Sequence, residues 1–180
     1  MNTLKLAAGI VGAVMLVVGT VAAATPASFQ KWMARFPRSK WPAWILTAID
    51  LIWSAWLLFH MPMERFEQFK PLLYVLTPVA FLLIITLMDE LLAPRALGGL
   101  FLLVPLPLLE SARWHPSPLR VVAVVLAYVL VVKGMVLVLS PYQFRRAAQR
   151  LLATPSTCRA WAGVMAVSGI LLLTLAGVAY

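Results

Sequence analysis

The sequence predicts an all-α integral membrane protein of six transmembrane helices, in which a helix–amphipathic connector–helix hairpin occurs twice, as helices 1–2 and 5–6. Three observations carry this. The chain of 180 residues is 63% hydrophobic and only 12% charged, whereas a soluble domain carries about a quarter charged residues. Its apolar residues are gathered into runs of membrane-spanning length. Its basic residues lie in the gaps, and two gaps are nearly the same text: TPASFQKWMARFP (Thr25 to Pro37) and SPYQFRRAAQRLLATP (Ser140 to Pro155). The net charge of +9 is therefore read as a set of topology signals and headgroup contacts. Nucleic-acid binding is not expected, because no gap is long enough to hold a soluble domain.

A run of about 20 apolar residues spans the hydrocarbon as a helix. Leu4 to Ala24, Trp41 to Phe59, Leu119 to Leu139 and Trp161 to Val178 qualify directly. Leu72 to Met88 is slightly short but free of charge. The remaining segment, LLAPRALGGLFLLVPLPLLE from Leu91 to Glu110, contains Pro94, Arg95, Gly98, Gly99, Pro105 and Pro107. It is either a kinked span or a re-entrant segment that turns back. The first run has a rival reading as a secretory signal, with a lysine, an apolar stretch and an Ala-x-Ala ending. Lys31, Arg35, Arg38 and Lys40 follow it, and a cleaved signal would leave them outside, against the positive-inside rule.

Three regions result: 1–60, a first hairpin with an interfacial helix over 26–37; 61–117, a middle pair whose second member is broken by Pro and Gly; and 118–180, a second hairpin with an interfacial helix over 141–153. In the aligned connectors Thr25-Pro26 corresponds to Ser140-Pro141, Phe29 to Phe144, Gln30-Lys31 to Arg145-Arg146, Arg35 to Arg150 and Phe36 to Leu151. Pro155 follows after a three-residue insertion relative to Pro37, and Trp44 matches Trp161. We read a duplicated hairpin. Within the first connector Phe29, Trp32, Met33 and Phe36 share one helical face, with Gln30, Lys31 and Arg35 opposite. Such a helix lies in the headgroup plane, rings down and charges up. The second copy repeats this with Phe144, Ala147, Ala148 and Leu151 beneath Arg145, Arg146 and Arg150. Lys31, Arg35, Arg38, Lys40, Arg145, Arg146 and Arg150 are thus the candidate contacts to anionic headgroups. Both connectors are basic, so both are expected in the cytoplasm of a bacterial inner-membrane protein, with both termini outside. The outer loop Met61 to Lys70 agrees, since Glu64 and Glu67 balance Arg65 and Lys70.

The stretch VVKGMVLVLSPYQFRRAAQRLLATPSTCRAWAGVMAVSGILLL resembles the small two-helix bacterial membrane proteins of the YjeT-like family. Gly134, Pro141, Arg145, Pro155, Arg159 and Gly163 match that pattern, and Lys133 stands where the family has an acid. The resemblance covers the last third of the chain. It implies membrane location and hairpin shape and carries no chemistry.

An ionisable residue at the centre of a membrane helix costs about 2.5–3.5 kcal/mol on insertion scales. Asp50 lies roughly 12 Å into the second span and Lys133 roughly 10 Å into the fifth, counted from the cytoplasmic mouth. Thr47, Asp50 and Ser54 form a polar stripe that should face the bundle. Two readings follow: an Asp50–Lys133 ion pair tying the hairpins together, or a snorkelling Lys133 beside a protonated or backbone-bonded Asp50. Asp89 and Glu90, near Arg95, read as a helix end. His60 and His115, near Met61 and Met63, have neither a haem nor a copper spacing, and no cofactor or metal is expected. The single cysteine, Cys158, permits no intramolecular disulfide. Small-xxx-small spacings at Ala8/Gly12, Gly9/Ala13 and Ala162/Ala166 allow close packing within or between chains.

No soluble domain, nucleophile–base constellation or phosphate loop is present in the sequence. The leading reading is a non-catalytic polytopic membrane protein, an accessory or scaffold subunit with a membrane-protein partner or a second copy of itself. The alternative is a small transporter or channel using Asp50. A third is a lipid-acting membrane enzyme, for which only Asp89, Glu90 and Arg95 cluster.

Overall fold

Apolar runs in lipid must satisfy their backbone polar groups internally, which leaves the helix as the simplest solution. The computed structural model describes residues 3–62, 64–88, 91–151, 154–178 and 180, with the side chains of 64–66 and 151 outside the described set. All regular structure among these residues is helical: α1 (Thr3–Ala24), α2 (Pro26–Arg35) with a 3-10 turn Phe36–Arg38, α3 (Lys40–His60), a 3-10 stretch Glu64–Phe69, α4 (Leu72–Leu87), α5 (Leu92–Leu103), α6 (Pro105–Arg113), α7 (Arg120–Leu139), α8 (Tyr142–Leu151) and α9 (Pro155–Val178).

Five helices among the described residues are long and apolar enough to cross a membrane: α1, α3, the joined α5–α6 (Leu92–Arg113), α7 and α9. This makes the chain a multi-pass membrane protein. The sixth expected span differs. α4 has 16 residues, about 24 Å of helix against about 30 Å of hydrocarbon. Its Pro78 is accommodated inside the helix, where lipid-embedded helices tolerate proline. The doubtful segment is the one that packs best: 39% of α5–α6 is buried, compared with 11% of α3. It does not turn back. Pro105 occupies the first turn of α6 after Val104, a position where its missing N–H costs nothing, so the chain bends there and continues.

Lipid tails are as apolar as leucine, so membrane helices associate through close van der Waals fit. Small residues decide where. α1 lays Ala8, Gly12, Gly19 and Ala22 against Cys158, Ala162, Gly169 and Ala176 of α9. The pair is antiparallel: Ala22 packs with Cys158 at one end, and Leu4 and Ala8 with Ala176 and Tyr180 at the other. Of the three spacings noted in the sequence, Ala8/Gly12 and Ala162/Ala166 lie in this seam. Gly9 has open space around it and Ala13 is exposed. The seam joins the first hairpin to the last. We expect Ala22→Cys to cross-link to native Cys158, whose Sγ lies 4.0 Å from the Ala22 carbonyl, under mild oxidation. Gly9→Cys should leave two free thiols on a mass spectrum.

The rest of the bundle forms a row. α6 packs on α1 and α7, α5 lies between α7 and α3, and α4 lies against α3. α3 and α5 run parallel, since Ala43 packs with Leu92 and Ala93 while Asp50 meets Gly99. α4 returns the chain along α3: Phe59 and Tyr74 meet edge-on at one end (5.8 Å between rings), and Ile84, Ile85 and Met88 reach Ala43 and Leu92 at the other. The entry to α5 is tight, with Leu91 in the left-handed region at φ 58°, where a side chain costs about 1–2 kcal/mol. Tyr180 closes the opposite end. Its hydroxyl donates to the Leu119 carbonyl at 2.7 Å and its ring meets His115 edge-on.

Candidate functional site

Two places concentrate polar groups: the layer built by the connectors and the α3–α5 seam. The connector layer starts from proline. Pro26 follows Thr25 and opens α2, its φ preset for a first helical turn. Pro141 stands at the same place before α8. The amphipathic face then meets protein more than lipid. Phe29 is buried with Ala22, Cys158 and Ala162, and Phe36 with Ala43, Leu92 and Ala93. Trp32 alone of the first connector's rings is exposed, at 54%. The rings form a continuous chain across the layer. Trp161 stacks on Phe29 (5.9 Å), Phe29 meets Trp32 (6.1 Å), Trp32 meets Phe36 (5.4 Å), and Phe36 meets Phe144 of α8 (5.6 Å). Each pair adds about 0.5–1.5 kcal/mol beyond its area burial. The downward-facing rings expected from the sequence are therefore largely the mortar between the two connectors. In α8, Phe144 and Ala148 are partly buried and Ala147 is exposed, while Leu151 lies outside the described side chains. Residues 152 and 153, the end of the expected second interfacial helix, also lie outside the described residues.

The seven basic headgroup candidates divide in two. Arg38 and Arg145 line a cavity between the connectors with Gln30, Met33, Ala148 and Gln149. Lys31, Arg35, Lys40, Arg146 and Arg150 lie outside that lining, and all seven are exposed. Arg146 lies 5.9 Å above the Tyr142 ring. Trp41 and Trp44, at the start of α3, are 74% and 40% exposed, as indole belts at a membrane interface are.

The second place is the α3–α5 seam. Thr47 is buried and Asp50 half-buried, as the stripe on α3 required. Ser54 donates its hydroxyl to the Leu51 carbonyl at 3.1 Å. The partner of Asp50 is not Lys133. The ion pair recorded among the described residues joins Lys70 to Glu67 at 3.3 Å, and Lys133 is exposed on α7. The reason is the position of α5 between α3 and α7. Gly98 and Gly99 are consecutive, so they point to two sides of one helix. A Cβ on Gly98 would lie 2.9 Å from the Gly134 carbonyl oxygen of α7. A Cβ on Gly99 would lie 2.5 Å from Asp50 Oδ2. The glycine pair lets α5 enter between the two charged spans and separate them. Three buried polar atoms on this seam have no hydrogen-bond partner among the described residues: Thr47 Oγ1, Asp50 Oδ1 and Arg95 Nε. Asp89 and Glu90, expected near Arg95, lie outside the described residues.

This contact gives a direct test. Gly99→Ala should leave the wild-type protein unchanged or slightly destabilised, since the Asp50 carboxylate, the movable end of a side chain, has to turn away from the new methyl group and offsets the gain in helix propensity. In the Asp50→Ala background the same change should be stabilising, because alanine favours helix over glycine by about 1 kcal/mol. A denaturant titration in detergent of the four proteins measures the coupling. Equal effects in both backgrounds would mean that the two residues do not touch.

The histidines are spent locally. His60 Nδ1 is 2.9 Å from the Trp56 carbonyl, and His115 Nδ1 accepts from the Ser117 N–H at 3.2 Å. Among the described residues no group of three His, Cys, Asp or Glu side chains is placed to hold a metal ion.

No family model, curated protein or solved structure matches this chain. Sequence reasoning singled out Arg38, Arg145 and Asp50, placed Gln30 on the polar face without making it a site residue, missed Gln149, and took Gly98-Gly99 only as a break. Two adjacent glycines in an apolar run, with Gly134 on another, were a signal for a helix with close neighbours on two sides.

Proposed function

We propose that this chain is a non-catalytic scaffold or accessory subunit of a bacterial inner-membrane assembly, with six crossings, cytoplasmic connectors and both termini outside. The sixth crossing is α4 with the residues flanking it, which must return the chain between two parallel neighbours. The duplicated hairpin and the YjeT-like resemblance of the last third fit this reading. The observation that carries it is α4 itself. None of its residues is buried, and Val75, Val79, Leu82 and Leu83 form part of its outward face. A helix too short to sit comfortably alone in the bilayer, attached to its own chain through α3, is suited to a membrane-protein partner or a second copy. Anionic lipids are the other partner, met by the exposed basic residues of the connectors.

Purification of the full chain in a mild maltoside detergent tests this. A stoichiometric partner, or a dimer, is expected with the wild type and should be lost with Leu82→Trp on the outward face of α4. A wild-type protein that runs as a monomer without a partner would contradict the proposal.

The unpartnered atoms around Asp50 favour a second reading, a small transporter or channel. An orphaned carboxylate oxygen inside a span is a functional-site signal. Proton flux in liposomes that is abolished by Asp50→Asn would support it, and no flux above that of empty liposomes would exclude proton conduction.

A further inference from the structure

The cavity between the two connectors has about 440 Å³ of room, within the roughly 300–1,000 Å³ range of small-ligand sites. Its polar lining is one-sided. Arg38 comes from the turn after α2, Arg145 and Gln149 from α8, and Gln30 from α2, with Met33 and Ala148 among its apolar walls. Among the described residues no carboxylate lines it. Guanidinium groups only donate hydrogen bonds, and their forked geometry matches the oxygens of a phosphate. Two arginines facing one space repel each other until an anion enters. The Nε2 of Gln30 is buried without a hydrogen-bond partner. A buried amide left unsatisfied in a polar, roomy site is explained by a missing ligand or water.

The place matters as much as the chemistry. Each connector alone presents basic residues on an exposed surface, where charges bind diffusely and weakly. Only the packing of the connectors, held by the Phe36–Phe144 contact at 5.6 Å, turns one arginine from each into a shared site. Each half of the chain thus supplies one arginine and one glutamine.

We propose that this cavity binds a phosphate group, the chemistry shared by an anionic lipid headgroup and a soluble phosphate ester. The inference is independent of the scaffold reading, since a monomer without partners would hold the same cavity.

The test uses the full chain in a detergent free of phosphate. Phosphatidylglycerol is titrated and followed by native mass spectrometry, with inorganic phosphate as the second probe. One saturable site is expected for the wild type. The cavity pair R38Q/R145Q should weaken it about tenfold or more, the scale of lost charge-assisted hydrogen bonds. The pair R35Q/R146Q removes the same charge from outside the lining and should weaken it by less than about threefold, since all four arginines are exposed and only their place relative to the cavity differs. Ala148→Phe keeps both arginines and fills the cavity from its apolar wall, so it should match the cavity pair if the site is a shape and not a field. It also stands as the deciding variant should the cavity pair prove unstable. If inorganic phosphate displaces the lipid, the site reads phosphate alone and a soluble ester can be its ligand. If lipid binds saturably and phosphate does not displace it, the ligand is the lipid. Either result upholds the site. Equal losses in both arginine pairs, or no effect of Ala148→Phe, or no saturable binding of either probe, would overturn it.

Discussion

Gly19→Val is expected to open the α1–α9 seam and to lower the stability of the whole protein by about 3 kcal/mol or more, the upper range for overpacking. A Cβ at Gly19 would lie 2.6 Å from the backbone nitrogen of Ala166 and 2.9 Å from the carbonyl oxygen of Ala162. Both obstacles are helix backbone, so no side chain can rotate away. The helices have to separate, and association driven by close packing loses contacts along the whole seam when they do. Gly169, whose Cβ would meet the nitrogen of Leu16 at 2.6 Å, should behave alike. Gly9→Val is the control. It has nothing within 4 Å and makes the same change in helix propensity, so it should stay within about 0.5 kcal/mol of wild type. An SDS unfolding titration measures all three. The Ala22→Cys cross-link to Cys158 gives a local reading: it should slow sharply in the Gly19→Val background and form normally with Gly9→Val. Equal behaviour of Gly9 and Gly19 variants would mean that α1 and α9 are not paired through this face.

Gly9 and Gly12 also define what the sequence could and could not supply. Composition and run length made the membrane, the helices and the basic gaps legible, because these depend on one segment at a time. The inward face of α3 was legible too, since Thr47, Asp50 and Ser54 recur at helical spacing. Choosing between Ala8/Gly12 and Gly9/Ala13 was not. Both pairs have the right spacing on a helix that is apolar all round, and only the partner decides which face is used. The same limit left two readings of Asp50 open. Equal depth and opposite charge brought Lys133 to it, but depth says nothing of the order of helices in a row, and α5 stands between. Phe29 and Phe36 were read correctly as one face and wrongly as lipid-facing, because an interfacial helix and a helix packed on a neighbour share the same periodicity. Pro94, Gly98, Gly99 and Pro105 looked like weakness in a span. In lipid, where tight fit substitutes for the hydrophobic effect, small residues in α5 are what allow its neighbours to approach.

Gly134→Ile should have the second large effect, and its consequence should appear one helix away. A Cβ at Gly134 would lie 2.8 Å from the carbonyl oxygen of Gly98 and 2.9 Å from Leu102 Cγ. The carbonyl cannot give, so α5 has to leave α7, at a cost of about 1–3 kcal/mol. Isoleucine is otherwise at home in a membrane helix, which keeps insertion itself intact. The displaced α5 carries Gly99 with it, because Gly98 and Gly99 are neighbours on one rigid turn. Gly99 is what covers Asp50 Oδ2. The fit around the carboxyl should therefore change, and a lipid-soluble carbodiimide should modify Asp50 at a different rate in Gly134→Ile than in wild type. Met135→Ile, on an exposed position beside it, should leave that rate unchanged. A changed rate for both substitutions would point to general loosening of the bundle. A changed rate for Gly134→Ile alone requires a connection from α7 through the two glycines of α5 to the acid on α3, the arrangement that separates Asp50 from Lys133.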